Sequence, residues 1–208
     1  EKTVLRIIDY DKYNLEEIPI NSIQEALAYQ EKKSTTWFNV DGIDQTTIMQ
    51  EIADGFQFDN FIIANVMNAH SRPKVIEHDN CLFLSIKMLQ VSETSNLISF
   101  ENLSLIVTKS VLISFQEKVG DVFEPVRNRI RKQKKRIISS GPDYLLFALL
   151  DVVVDNYIYI LSVLGDKIEN LEEELLQNQD KSIIDSINTH KKELNYLRKT
   201  FYQREKCY

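Results

Sequence analysis

Asp151 and Asp155 stand four residues apart in the run Asp143–Leu176, DYLLFALLDVVVDNYIYILSVLGDKIENLEEELL. On a helix that spacing puts both carboxylates on one face. Carboxylate oxygens suit hard cations such as magnesium, which keeps several waters and needs only one or two protein carboxylates. The pair reads equally as a narrow polar stripe on an apolar helix. A second acidic group, Glu169, Glu172, Glu173 and Glu174, is either a solvated face or a loose attractor of divalent cations.

Other candidate chemistry is sparse. The five glycines could hardly build a phosphate loop, and no nucleophile elbow, Cys/His pair or zincin helix is present. The chain is therefore read as a non-enzyme. His70 and His78 flank Arg72-Pro73-Lys74, but two histidines without a nearby third ligand read as structural rather than as a zinc site. Arg127 to Arg136, RNRIRKQKKR, has no interleaved aromatics and no basic domain around it, which argues against nucleic acid. A solvated helix face, or a dock for an acidic subunit or an anionic membrane, fits better.

The carboxylate pair needs a long helix to carry it. Leu146, Leu150, Val153, Tyr157, Ile160, Leu164, Ile168, Leu171 and Leu175 recur in steps of three and four, one helical face. The first half is apolar nearly all round and is expected to be buried on several sides. Upstream, the patterns predict strands at Val4–Asp9, near Glu16–Ile18 and at Thr35–Val40. A helix is expected after Ser22, with Glu25 as its capping-box partner, another capped by Asp44, and a short one over Asp59–Met67. Pro73 opens a sheet region with strands at Lys74–Glu77, Cys81–Val91, Asn96–Val107 and Val111–Glu117, joined by short polar connectors as antiparallel hairpins. Everything from Asp121 is expected to be helical: one helix to about Ile138, the long helix, and a third from Lys181. Residues 1–120 then form an α/β layered domain and residues 121–208 a helical arm.

The 208 residues carry a net charge of −6, enough chain for a full core and the wrong sign for a general nucleic-acid binder. Cys81 and Cys207 make no disulfide or metal framework. No run reaches the roughly 18 uncharged apolar residues of a membrane span, and no signal peptide is visible. The chain lacks an initiator Met and stops in a helical pattern, so it is expected to be a piece of a longer protein.

Several segments, in order, resemble the CorA-type magnesium channel family: Thr36–Ile43 (TWFNVDGI), Asn68–Val75 (NAHSRPKV), Phe115–Arg127 (FQEKVGDVFEPVR), and Asp143–Leu146 continuing through Asp151 to Asp155. The resemblance implies an αβα sandwich with a mixed, largely antiparallel central sheet, followed by long helices forming the arm. It implies the cytoplasmic, metal-sensing part of a magnesium or cobalt channel at the inner membrane. Such a channel is a homopentamer in which divalent cations bound between neighbours hold the pore closed. The stalk, the transmembrane helices and their Gly-Met-Asn loop are not in this sequence. An acid pair common before the Arg-Pro-Lys turn is replaced by Ala64 and Asn65, leaving Asp151, Asp155 and Asn65 as candidate ligands for weakly bound magnesium, cobalt or zinc. A related zinc transporter and a helical protein-binding scaffold are the alternative readings.

Overall fold

The computed structural model describes residues 3–68, 72–91, 98–177 and 181–202. The chain divides into two compact units, residues 1–90 with 100–154, and residues 91–99 with 155–208.

The first unit is built on a sheet of seven strands: β1 (Val4–Tyr10), β2 (Leu15–Ile20), β3 (Thr35–Asp41), β4 (Lys74–His78), β5 (Cys81–Val91), β6 (Ile98–Val107) and β7 (Val111–Gln116). They lie in the order β2-β1-β3-β7-β6-β5-β4. The pairs β1–β2, β1–β3, β4–β5 and β6–β7 are antiparallel. The β3–β7 pair at the centre is parallel, with Trp37 opposite Leu112 and Asn39 opposite Ser114. A parallel join needs a long crossover, and everything between Asp41 and Val111 serves as one.

Both faces of β3 are buried, and alternation decides which side chain serves which layer. Phe38 and Val40 join Leu5, Ile7, Ile113 and Phe115 against the helices α1 (Ile23–Leu27), α2 (Thr46–Phe56) and α3 (Asn60–Val66). Trp37 points the other way and meets Phe123 edge-on at 6.0 Å. That layer contains α4 (Glu124–Arg131), α5 (Lys135–Ile138) and the start of α6 (Pro142–Gln177), contributing buried Val126, Ile130, Ile137, Leu145 and Leu149. The result is the helix–sheet–helix sandwich expected from the sequence.

Local chemistry accounts for the helix starts. At α1 the Ser22 backbone N–H donates to Glu25 Oε1 at 3.1 Å, closing the expected capping box. At α3, Asp59 Oδ1 accepts from the Phe61 N–H at 2.7 Å. The α2 cap position is held by Gln45 rather than the expected Asp44. Between α4 and α5 the single helix expected to Ile138 is interrupted, because Gln133 takes a left-handed φ of 47°. That turn costs a non-glycine residue about 1–2 kcal/mol.

Helix α6 runs unbroken for 36 residues, its first part in the first unit and its remainder in the second. In the second unit Ile160, Leu164 and Leu197 are buried, the last of these on α7 (Lys181–Tyr202). The expected break at Asn178-Gln179-Asp180 lies outside the described residues, as do His70, Cys207 and the Ser92–Ser95 connector.

Candidate functional site

Asp151 and Asp155 both lie on α6, one turn apart, and both are exposed. Their surroundings on the helix differ from the expectation. The first half of α6 is not covered on all sides: Phe147 is 59% exposed, Val154 51% and Ile158 61%. Phe147, Asp151, Val154 and Ile158 fall at i, i+4, i+7 and i+11, so Asp151 stands within an uncovered apolar stripe. Asp151 and Asp155 are the only charged residues between Asp143 and Asp166. The segment 142–176 is accordingly long and apolar enough, by length and composition, to cross a membrane, although only 22% of its most apolar window is buried. The expectation that no run of roughly 18 uncharged apolar residues occurs still holds, because Asp151 and Asp155 interrupt this one. Each carboxylate at a bilayer centre would cost about 2.5–3.5 kcal/mol, so a covering protein surface suits this stripe better than lipid.

Asn65, the third candidate ligand, is 7% exposed on α3. Its Nδ2 donates to the Phe61 carbonyl at 2.8 Å, and its Oδ1 accepts from the Lys74 ammonium. A lysine from the Arg-Pro-Lys turn thus already occupies the oxygen that a metal would use. Ala64 beside it is exposed and offers nothing. Among the described residues no group of three or more His, Cys, Asp or Glu could hold a metal ion within one chain.

Glu169, Glu172, Glu173 and Glu174 are exposed on α6, and no basic residue stands in its last turn. Carboxylates at a helix C-terminus oppose the macrodipole, so this end of the helix is a region of strong negative potential.

The basic stretch is less of a solvated face than its composition suggests. Arg127 is buried, grips Asp121 with both terminal nitrogens and lies 4.9 Å over the Trp37 ring. Arg131 donates to both oxygens of Glu17, at 2.8 and 2.7 Å, and also pairs with Glu124. Arg129 donates to the Tyr144 hydroxyl at 2.9 Å. Three of the seven cations therefore tie α4 to the sheet or to α6. Nothing short of the tertiary structure signals those partners, although the Asp121–Arg127 spacing is compatible with a helix-entry pair.

Family comparison fits this arrangement. The profile for CorA-like Mg2+ transporter proteins matches residues 32–208. The chain belongs to the CorA-like transporter family. A curated relative, the cobalt/magnesium transport protein CorA of Thermotoga maritima, is 33% identical over 198 residues, covering 95% of this chain and 56% of that protein. The chain thus spans little more than half the length of that relative. Among solved structures, the soluble domain of CorA from Methanocaldococcus jannaschii superposes with a TM-score of 0.71 at 18% identity, over 94% of this chain and 74% of that one. The ZntB cytoplasmic domain from Vibrio parahaemolyticus gives a TM-score of 0.67 at 13% identity, over 93% and 73%. At those identities the structural likeness establishes the shared CorA-type fold.

Proposed function

We propose that this chain is the cytoplasmic, metal-responsive gating part of a CorA-like magnesium and cobalt channel at the cell (inner) membrane. It works as a homopentamer, joined to a transmembrane domain of its own. The observation that carries the reading is Asp151 set in the uncovered apolar stripe of α6. When a neighbouring copy or the remainder of the channel covers Phe147, Val154 and Ile158, Asp151 is desolvated with them. A desolvated carboxylate demands a cation. A divalent ion between subunits then stabilises the arrangement that buries the stripe, which is the closed state. Asp155, one turn on, is the second ligand of this shared site. The carbonyl of Asn65 enters only when the Lys74 ammonium moves off it, so the site has few charges and binds weakly. The exposed glutamates near the end of α6 raise the local cation concentration without forming a cage.

The test is titration calorimetry on the assembled full-length protein with magnesium, cobalt and zinc in turn, repeated with Asp151→Ala. Saturable magnesium binding that is lost in the variant supports the proposal. Equal binding by wild type and variant removes Asp151 from the site. Zinc binding without magnesium binding reassigns the ion.

A further inference from the structure

Two uncovered patches of the first unit carry opposite charge. One is on α3, whose sequence NFIIANV holds no charged residue. Phe61 is 61% exposed there, and Ala64, one turn on, is exposed as well. The charge beside them belongs to Lys74. Its part-buried side chain reaches α3 from β4 and ends on the Asn65 amide oxygen. Lys74 forms no ion pair among the described residues, so a neutral amide holds its ammonium and leaves the charge uncompensated. A partly desolvated ammonium favours a carboxylate.

The other patch is on α6, where Phe147 and Val154 flank Asp151 and all three are exposed. Asp151 also forms no ion pair among the described residues. Each patch therefore sets one uncompensated charge among exposed apolar side chains, with the sign reversed. Within one chain the two do not meet. Helix α3 packs on the sheet face that holds Phe38 and Val40, whereas α6 begins on the Trp37 face. Pairing either patch with its own copy would bring like charges together, which is unfavourable. Pairing one patch with the other joins copies head to tail, the arrangement that closes into a ring when the rotation allows.

We propose that α3 of one copy seats on α6 of the next, with Lys74 paired to Asp151 and with Phe61 and Ala64 against Phe147 and Val154. This rests on the reading of Asp151 as a subunit-contact residue. It goes further in naming the surface that covers Asp151 and the cation that holds it when no metal is bound. A divalent ion arriving at Asp151 then displaces the neighbour's ammonium, so magnesium and Lys74 compete for one carboxylate.

The test is sedimentation equilibrium of the 208-residue chain in buffer containing EDTA. The expected result is concentration-dependent association, weakened about tenfold or more by Lys74→Glu and by Asp151→Lys. Combining both reversals in one chain should restore it to within about threefold of wild type. An equimolar mixture of the two single variants should also associate, because the unaltered halves pair and the reversed halves pair. A bridge within one chain would not respond to mixing. Asp151→Leu is not an equivalent probe, since it adds apolar area at the centre of the contact. Circular dichroism melts qualify each variant, and Lys74→Gln replaces Lys74→Glu in the single-variant arm if the latter melts lower. A wild-type chain monomeric up to about 1 mM, association unchanged by both reversals, or a loss that neither the double variant nor the mixture restores would each overturn the proposal. Magnesium calorimetry separates this from the ion site. Binding that is lost in Asp151→Ala, without rescue here, refutes the Lys74 pair alone; rescue without magnesium binding supports the pair and refutes the ion site alone.

Discussion

The indole Nε1 of Trp37 donates to Ser114 Oγ at 2.8 Å across the parallel β3–β7 pair. Ser114 Oγ in turn donates to Asn39 Oδ1 at 2.7 Å, and Asn39 Nδ2 donates to Asp41 at 2.8 Å. One serine hydroxyl therefore satisfies a tryptophan and an asparagine inside a closed layer. Ser114→Ala should cost about 2 kcal/mol, because it leaves the indole N–H and the Asn39 carbonyl unpaired in a dry site. Urea denaturation gives the number; a change under 0.5 kcal/mol would mean that water replaces the hydroxyl.

Arg127 is the cation of a buried, two-pronged pair with Asp121. Arg127→Met should destabilise by about 3 kcal/mol, since it leaves a buried carboxylate uncompensated. Arg127→Lys should recover only part of that, as an ammonium cannot match both carboxylate oxygens or stack on Trp37. Adding Asp121→Asn to Arg127→Met should restore stability relative to the single variant, and a double-mutant cycle measures the coupling.

The pH dependence follows from carboxylates displaced in opposite directions. Burial raises the pKa of Asp41 above 3.8 and that of Glu101 above 4.5. For these two the folded state holds protons that the unfolded state has released, so stability falls as pH rises from the ordinary carboxylate value through the raised one. The hydrogen bonds from Arg131 lower Glu17 below 4.5. Its contribution is full above 4.5 and is lost as pH falls through the lowered value. For these three groups the stability maximum should therefore lie near the ordinary carboxylate values, between the lowered Glu17 and the raised Asp41 and Glu101. Urea midpoints across pH check this: Asp41→Asn should flatten the limb above the maximum, and Glu17→Gln should flatten the limb below it.

Lys74 competes with any metal for Asn65. Lys74→Met frees the Asn65 carbonyl and removes one positive charge, so magnesium affinity of the assembled protein should rise several-fold. An unchanged affinity would place Asn65 outside the ion site.

Asp151→Leu should join Phe147, Val154 and Ile158 into one continuous apolar face. Self-association of the 208-residue chain should strengthen, and it should lose any dependence on magnesium. Sedimentation velocity with and without the ion reads both effects.

Much of this was legible before any coordinates. The runs at Thr35–Val40 and Val111–Glu117 are bounded by turn residues and dense in β-branched and aromatic side chains, and both are strands. Ser22 and Glu25 marked a helix start, and the Asp151–Asp155 spacing fixed both carboxylates on one helix. The break at Gln133 carried no glycine or proline to announce it. The parallel pairing of β3 with β7 has no local signal, since it joins segments far apart in the chain. Nor could composition reveal that Arg127 is interior, because its partners Asp121 and Trp37 are set by packing. The covered and uncovered sides of α6 look alike in sequence, both being apolar. Asn65 is a candidate only because it stands where the family resemblance places an acid, and the packed turn brings Lys74 onto it.

The crossover between β3 and β7 has a consequence for biosynthesis. During translation the β1–β2–β3 ribbon can form early, leaving β3, buried along its whole length in the finished protein, as an open edge. Its mate does not emerge until Val111 leaves the ribosome, roughly 4–14 s later at ordinary elongation rates. In that interval Trp37, Phe38 and Val40 sit on an apolar strand with one edge open, a template for mispairing with another nascent chain. Yield in cells should therefore depend on temperature and chaperone supply more than the stability of the finished fold would suggest.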